Sequence, residues 1–325
     1  MYRMKPMKAT AFAAAAAAAI LTGCATDRAA LTEEKMVTSM EFIEGGYAPD
    51  CPADVKERRS GIRYGIPQHV TYHSDTCGME RGLSVLLPPS YDGTKEYPVI
   101  YFQHGIFGDE YCMVNDANNR FAEITANMAA DGDAPEVILV FGNMYATENP
   151  NQKPGFKEED IAPYDNFINE LVSDIMPFIG ANYSVKKGRE NTAVCGFSMG
   201  GRESLYIGIK RPDLFGYTGA IAPAPGLVPA RDWAMVHRGM TDGNSLKFGS
   251  GQEEPYLLML CCGTNDSVVG SFPRSYHDIL TQNGTRHTWF EVIGADHDAT
   301  AIRSGFYWFM KNVFRSTDSG EKLPQ

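Results

Sequence analysis

The chain has 325 residues, 43% of them hydrophobic, and a formal net charge of −11. That length and apolar content suit one large folded unit or two small ones. With 40 acidic against 29 basic residues and no Lys/Arg-dense tract, the composition argues against nucleic acid as a partner.

The first elements read as export signals. Arg3, Lys5 and Lys8 precede an apolar run from Ala9 to Leu21, too short for a comfortable membrane span. The run ends in Leu21-Thr22-Gly23-Cys24, which resembles the bacterial lipobox. The expectation is a lipoprotein signal peptide over residues 1–23 and lipidation of Cys24. The chain would then be exported and held at the bacterial cell surface or periplasm, touching membrane through the anchor only. Residues 24–60 are polar and weakly patterned, and read as a tether with one short helix. The folded domain is expected over residues 61–325.

From there strand and helix signals alternate. "QHVTYHS" and "RGLSVLLPPSY" read as strands flanking a turn at Thr76-Cys77-Gly78. "YPVIYFQHG" and "EVILVFGN" are short apolar runs of the kind buried on both faces of a sheet. In "YDNFINELVSDIMPFIGANY", Phe167, Ile168, Leu171, Val172 and Ile175 recur at helical spacing. There follow strand "TAVCG", a helix after Ser198, strands "YTGAIAP" and "YLLMLCCG", helix "SFPRSYHDILTQNG", strand "HTWFEVIG" and helix "ATAIRSGFYWFMKNVF". This order predicts an α/β fold, a mostly parallel doubly wound sheet with helices on both faces. The Pro- and Gly-rich stretch 222–255 reads as an excursion above the sheet. Cys195, Cys261 and Cys262 fall in apolar strands, where a thiol behaves as a small core residue. Cys51, Cys77 and Cys112 lie in polar stretches, and export would permit a disulfide among them without requiring one. No cysteine or histidine spacing suggests a metal site, and no cofactor is called for.

The chemistry gathers at "CGFSMGG". Gly196-Phe197-Ser198-Met199-Gly200 joins a buried strand to a helix, the setting of a nucleophile elbow, where a tight turn needs neighbours without bulk. In the same architecture the acid and the base follow in that order, each after a later strand. Asp266 follows "YLLMLCC" and His297 follows "TWFEVIG", both at strand ends where a doubly wound sheet builds its site. Asp296 and Asp298 flank the histidine. A neighbour in sequence cannot easily reach one ring nitrogen while the other faces Ser198, so Asp266 is preferred. The amides of Met199 and Ile106 could receive an oxyanion. His104 reads as a brace for its loop, and His69, His73, His237, His277 and His287 as ordinary structural or surface residues. Ser198, Asp266 and His297 in this order predict a serine hydrolase working through an acyl-enzyme.

Three segments together resemble carbohydrate esterase family 1, the esterase-D-like branch of the α/β-hydrolases. They are "GLSVLLPPSYDGTKEYPVIYFQHGIFGDE", "FIGANYSVKKGRENTAVCGFSMGGRESLYIGIKRPDLFGYTGAIAPAPG" and "CCGTNDSVVGSFPRSYHDILTQNGTRHTWFEVIGADHD". The resemblance runs from about Gln68 to Phe314. It implies the α/β-hydrolase fold and feruloyl or acetylxylan esterase activity on plant cell-wall xylan or a derived oligosaccharide. It also supports Asp266 as the acid, through the segment Gly263-Thr264-Asn265-Asp266-Ser267. Many members place aromatic residues just after the catalytic His-Asp pair; here Ala299-Thr300-Ala301 stand there, which points to a more open pocket wall. Two other readings remain open at this level. One is a hydrolase of another ester or thioester, such as a siderophore, polyester or small acyl ester. The other is a catalytically silent binding lipoprotein on the same scaffold.

Overall fold

The computed structural model describes residues 46–314. In chain order its elements are β1 (Tyr47–Ala48), α1 (Ala53–Lys56), β2 (Gln68–Ser74), β3 (Met79–Leu86), β4 (Val99–Gln103), α2 (Cys112–Asn115), α3 (Phe121–Asp131), β5 (Ile138–Gly142), α4 (Glu158–Asp165) and α5 (Phe167–Glu170). A π-helical turn, Leu171–Ile175, leads into α6 (Met176–Asn182). Then come β6 (Thr192–Phe197), α7 (Met199–Lys210), β7 (Tyr217–Ile221), β8 (Ala230–Arg231), β9 (Val236–His237), β10 (Leu257–Gly263), α8 (Phe272–Gln282), β11 (Thr288–Val292) and α9 (Ala299–Asn312).

Nine strands form one sheet in the order β1-β11-β10-β7-β6-β4-β5-β3-β2. The pairs β2/β3 and β3/β5 are antiparallel and all others in that sheet are parallel, so β3 alone runs against the rest. Successive residues of a strand point to opposite faces. Accordingly Ile100 and Phe102 of β4 pack in one apolar cluster, with Phe306 and Phe309 of α9. Val99 and Tyr101 pack in another, with Phe167 and Leu171. Both faces are covered, which is why these strands read as unbroken apolar runs. The doubly wound α/β-hydrolase arrangement expected from the sequence is the one observed.

Three expectations need correction. The domain does not begin at residue 61. Residues 46–60, read as the end of a tether, belong to the folded unit: β1 pairs with β11, and Cys51 and Val55 are buried in the core. Asp50 holds Arg303 and Ser304 of α9 together with Lys56, which pulls its carboxyl down to about 2 against the opposing effect of burial. This segment is too short and polar to show a period, yet its charges are matched to α9. Helix α3 had no place in the sequence reading; its apolar stripe, Phe121, Ile124 and Met128, is narrow and follows the polar "DANNR". The single helix expected near 164–183 is α4, α5, the π turn and α6, with Pro163 inside α4. Asp174 in the π turn accepts from the Asp75 and Thr76 amides and so grips the tip of the β2–β3 hairpin. The signal, Cys24 and residues 24–45 lie outside the described residues. Cys51, Cys77 and Cys112 are all unpaired thiols, the first two buried.

Candidate active site

Ser198 sits between the end of β6 and the start of α7 with φ 58° and ψ −118°. A residue bearing a Cβ adopts such a backbone only where the surroundings enforce it. Here the Ser198 amide donates to the Ile221 carbonyl, and its carbonyl accepts from Arg202 and Ala224. The flanking glycines are a steric requirement. A Cβ at Gly196 would run into the Gly200 carbonyl, and one at Gly200 into the Gln103 carbonyl. The turn thus leaves Ser198 at the head of a helix whose first amides are free of helical partners.

Asp266 and His297 arrive from the ends of β10 and β11. His297 Nδ1 lies 2.9 Å from Asp266 Oδ2. A carboxylate only accepts, so Nδ1 carries a proton, and in the neutral ring the lone pair is on Nε2. Asp266 is itself held: its Oδ1 accepts from the Val268 and Val269 amides, and its side chain is 1% exposed. The ring of Phe197, next to Ser198, lies against the His297 ring at 4.4 Å. The structure therefore pairs the base and acid positions of the sequence, and packs the residue before Ser198 against the base.

The two neighbouring carboxylates do other work. Asp296 Oδ1 accepts from the Ser267 amide at 2.9 Å and from the His297 amide at 2.8 Å, tying the two loops together. Those backbone bonds hold its carboxyl below the usual range. Asp298 caps α9 by accepting from the Thr300 and Ala301 amides. That cap starts the helix at Ala299, so no aromatic side chain is supplied there.

The loop after β4 lies across from the elbow. A Cβ on Gly105 would be 3.4 Å from the Ser198 Cβ, so this backbone passes against the serine. His104 is buried and bridges two loops. Its Nδ1 sits 2.6 Å from the Gly105 carbonyl and its Nε2 accepts from the Met144 amide at 2.9 Å. It is the loop brace that the sequence suggested. Burial pushes its pKa from 6.5 down to about 4. The unfolded chain therefore binds the extra proton first on acidification, so His104 withdraws stability as pH falls from 6.5 toward 4. Below that both states are protonated and the loss is complete. The expected size is roughly 3 kcal/mol. Denaturant unfolding of a His104→Asn variant across this range should show a stability curve flatter by about that amount.

Three exposed rings stand beside this loop. Phe107 follows Ile106, with φ 65°, and its ring centroid is 5.3 Å from that of Phe156. Phe156 in turn lies 5.6 Å from Trp233, which is 79% exposed. Trp233 is at the tip of the β8–β9 hairpin, where Asp232 accepts from the Ala234 and Met235 amides and from His237 Nε2. Arg238 ties the hairpin to Glu158 at the head of α4. Below, the buried Arg202 pairs with Asp165 at the end of α4 and reaches the Gly226 carbonyl. Burial pushes the neighbouring Glu203 carboxyl up to about 8 against the pull of Arg202.

Residues 74–267 match the Esterase family. The chain belongs to that family. It is a carboxylic ester hydrolase, and the resemblance to carbohydrate esterase family 1 is borne out by the individual matches. A family 1 ferulic acid esterase from Anaeromyces mucronatus, solved with ferulic acid, is 44% identical, with a TM-score of 0.78 over 82% of this chain and 97% of that one. The feruloyl esterase module from Clostridium thermocellum, solved with sinapinate, shares the fold at a TM-score of 0.65 and 17% identity, over 87% of this chain and all of that one. An endo-1,4-beta-xylanase/feruloyl esterase from Xylanibacter ruminicola is 32% identical over 191 residues, 57% of this chain. The esterase spans 25% of that protein's length.

Sequence reading of the esterase missed one group. The rim of Phe107, Phe156 and Trp233 comes from three separate loops, and only the run of Asp, Trp and His in "ARDWAMVHRG" hinted at a built turn. Among the described residues no three metal-ligating side chains cluster.

Proposed function

We propose that the chain is a serine esterase that removes feruloyl groups, or acetyl groups, from plant cell-wall xylan. The observation that carries the reading is the Asp266–His297 bond beside an elbow serine. The 44% identity to a ferulic acid esterase supports the acyl group. Ser198 Oγ attacks the ester carbonyl carbon while its proton passes to His297 Nε2. The Asp266 carboxylate stabilises the imidazolium, and the Met199 and Ile106 amides receive the oxyanion. His297 then protonates the departing sugar oxygen, leaving the acyl group on Ser198. Water repeats the attack with His297 as base and releases the free acid. The phenolic reading draws on the rim, because flat exposed rings beside the oxyanion loop suit an aromatic acyl group.

Turnover of methyl ferulate, acetylated xylan and a small aryl acetate by one preparation tests the substrate class. Methyl ferulate should give the highest kcat/KM, and acetylated xylan leading by a wide margin would reassign the enzyme as an acetyl esterase. Trp233→Ala should raise KM for methyl ferulate about 2- to 10-fold, the value of one aromatic contact, with aryl acetate turnover near wild type. The chain is also proposed to be exported and anchored through Cys24, on the pattern Leu21-Thr22-Gly23-Cys24. Mass spectrometry of the mature protein from its native host should find a lipidated Cys24 at the N-terminus; any other first residue removes the anchor.

A further inference from the structure

We infer that Arg81, on the one strand running against the sheet, positions the Ile106 amide through His104. This rests on the reading of that amide as an oxyanion donor. The path is continuous. Arg81 is held from behind by Glu170, whose Oε1 lies 2.6 Å from Arg81 Nε and also accepts from the Tyr72 hydroxyl. In front, Arg81 Nη2 donates to the Asn143 carbonyl at 2.5 Å and Nη1 to the Tyr145 carbonyl at 3.2 Å. The guanidinium fork thus clasps the residues on either side of Met144. Two bonds from one rigid fork fix orientation as well as distance. The Met144 amide donates to His104 Nε2, which leaves the proton on Nδ1 to be donated to the Gly105 carbonyl. The Gly108 amide donates to the same carbonyl.

The last link is covalent. The Gly105 carbonyl and the Ile106 N–H belong to one planar trans peptide and point in opposite directions. Anchoring the oxygen at two points therefore aims the hydrogen. The next amide, Phe107, is taken by the Tyr164 hydroxyl at 3.0 Å and cannot substitute. Ile106 has no hydrogen-bond partner among the described residues, and the peptide lies against Ser198. Arg81 is a positioning residue: it touches no substrate, and its effect reaches the reaction through a peptide plane.

Two histidine variants separate this role from simple loop support. Asn at 104 can place its amide nitrogen where Nδ1 stands and keep the bond to Gly105; Gln can reach the Nε2 position and keep the bond to Met144 instead. Both lose one bond, so a purely structural histidine predicts equal damage. Acylation would be followed by stopped flow with p-nitrophenyl acetate, alongside KM and thermal midpoint. His104→Gln should lose about 10²- to 10³-fold in acylation rate, the value of one oxyanion donor, with KM within a few-fold. His104→Asn keeps the Gly105 bond but cuts the link to Met144, and so to Arg81; it should fall about tenfold, as Arg81→Lys does, at a similar thermal midpoint. Arg81→Lys keeps the charge beside Glu170 but loses the two-carbonyl clasp, and should lower acylation by about tenfold or more with KM little changed. Equal acylation rates for the two His104 variants, or an Arg81→Lys enzyme at the wild-type rate, would overturn the inference. If Arg81→Lys does not fold, His104→Asn stands in for it, because it cuts the same path at Met144; acylation at the wild-type rate in that variant would overturn the inference. A Ser198→Ala control should be inert; an active control would remove the serine reading itself and this inference with it.

Discussion

Ser198→Ala is expected to lower kcat by about 10⁴-fold or more on any ester the enzyme accepts. Alanine keeps the Cβ, so the bonds that enforce the backbone at φ 58° remain: Ser198 N to the Ile221 carbonyl, and Arg202 N and Ala224 N to the Ser198 carbonyl. The variant should therefore fold with an unchanged circular dichroism spectrum and thermal midpoint. What disappears is the Ser198 hydroxyl, the one side-chain oxygen among residues 196–200. His297 and the oxyanion amides can still act on water, which sets the residual rate. Kinetics on a folded, purified variant check the result, and appreciable turnover would show that the nucleophile lies elsewhere.

Asp266→Asn should cost up to about 10⁴-fold in kcat, and the structure says why. The carboxylate has two jobs facing different ways. Oδ1 accepts from two amides, Val268 and Val269, while Oδ2 accepts from His297 Nδ1. An asparagine must turn its oxygen to the two amides, because its nitrogen cannot accept there. Its NH2 then faces Nδ1, which must give up its proton, and the proton moves to Nε2. The base is lost although every atom stays near its place. Asp296→Asn keeps an oxygen for the Ser267 and His297 amides, and Asp298→Asn remains a good helix cap. Both should stay within about tenfold of wild type. Comparing the three variants under one condition decides the assignment. Should Asp296→Asn or Asp298→Asn be the crippled one, the acid has been misplaced.

The site was legible because the features that build it are local and ordered. Glycines at 196, 200 and 201 announce a turn that tolerates no Cβ, and the carboxylate and the histidine each follow a short strand-like segment, "YLLMLCC" and "TWFEVIG". The choice of Asp266 over its two rivals followed from direction, since a neighbour in sequence cannot easily reach the ring nitrogen turned away from Ser198, and from the resemblance of residues 263–267. What stayed hidden depends on contacts between distant segments. Nothing near Arg81 says that its guanidinium will clasp residues 143 and 145. Phe107, Phe156 and Trp233 are unremarkable singly and meet only after three loops have been placed. Residues 46–60 read as linker because short polar segments carry no period, and their attachment depends on Asp50 finding Arg303 more than two hundred residues away.

The two-residue strand β1 has a consequence for how the protein behaves at high concentration. Without Tyr47 and Ala48 the outer rim of β11 would present bare amides and carbonyls along a parallel sheet, a template for another chain. The Ala48 carbonyl also receives the Ile293 amide, in the turn that leads on to His297. The same few atoms that shield the sheet from self-association thus steady the approach to the histidine. A recombinant version begun after residue 48 would lose colloidal stability and loop order in one cut, whereas one begun before Gly46 keeps both.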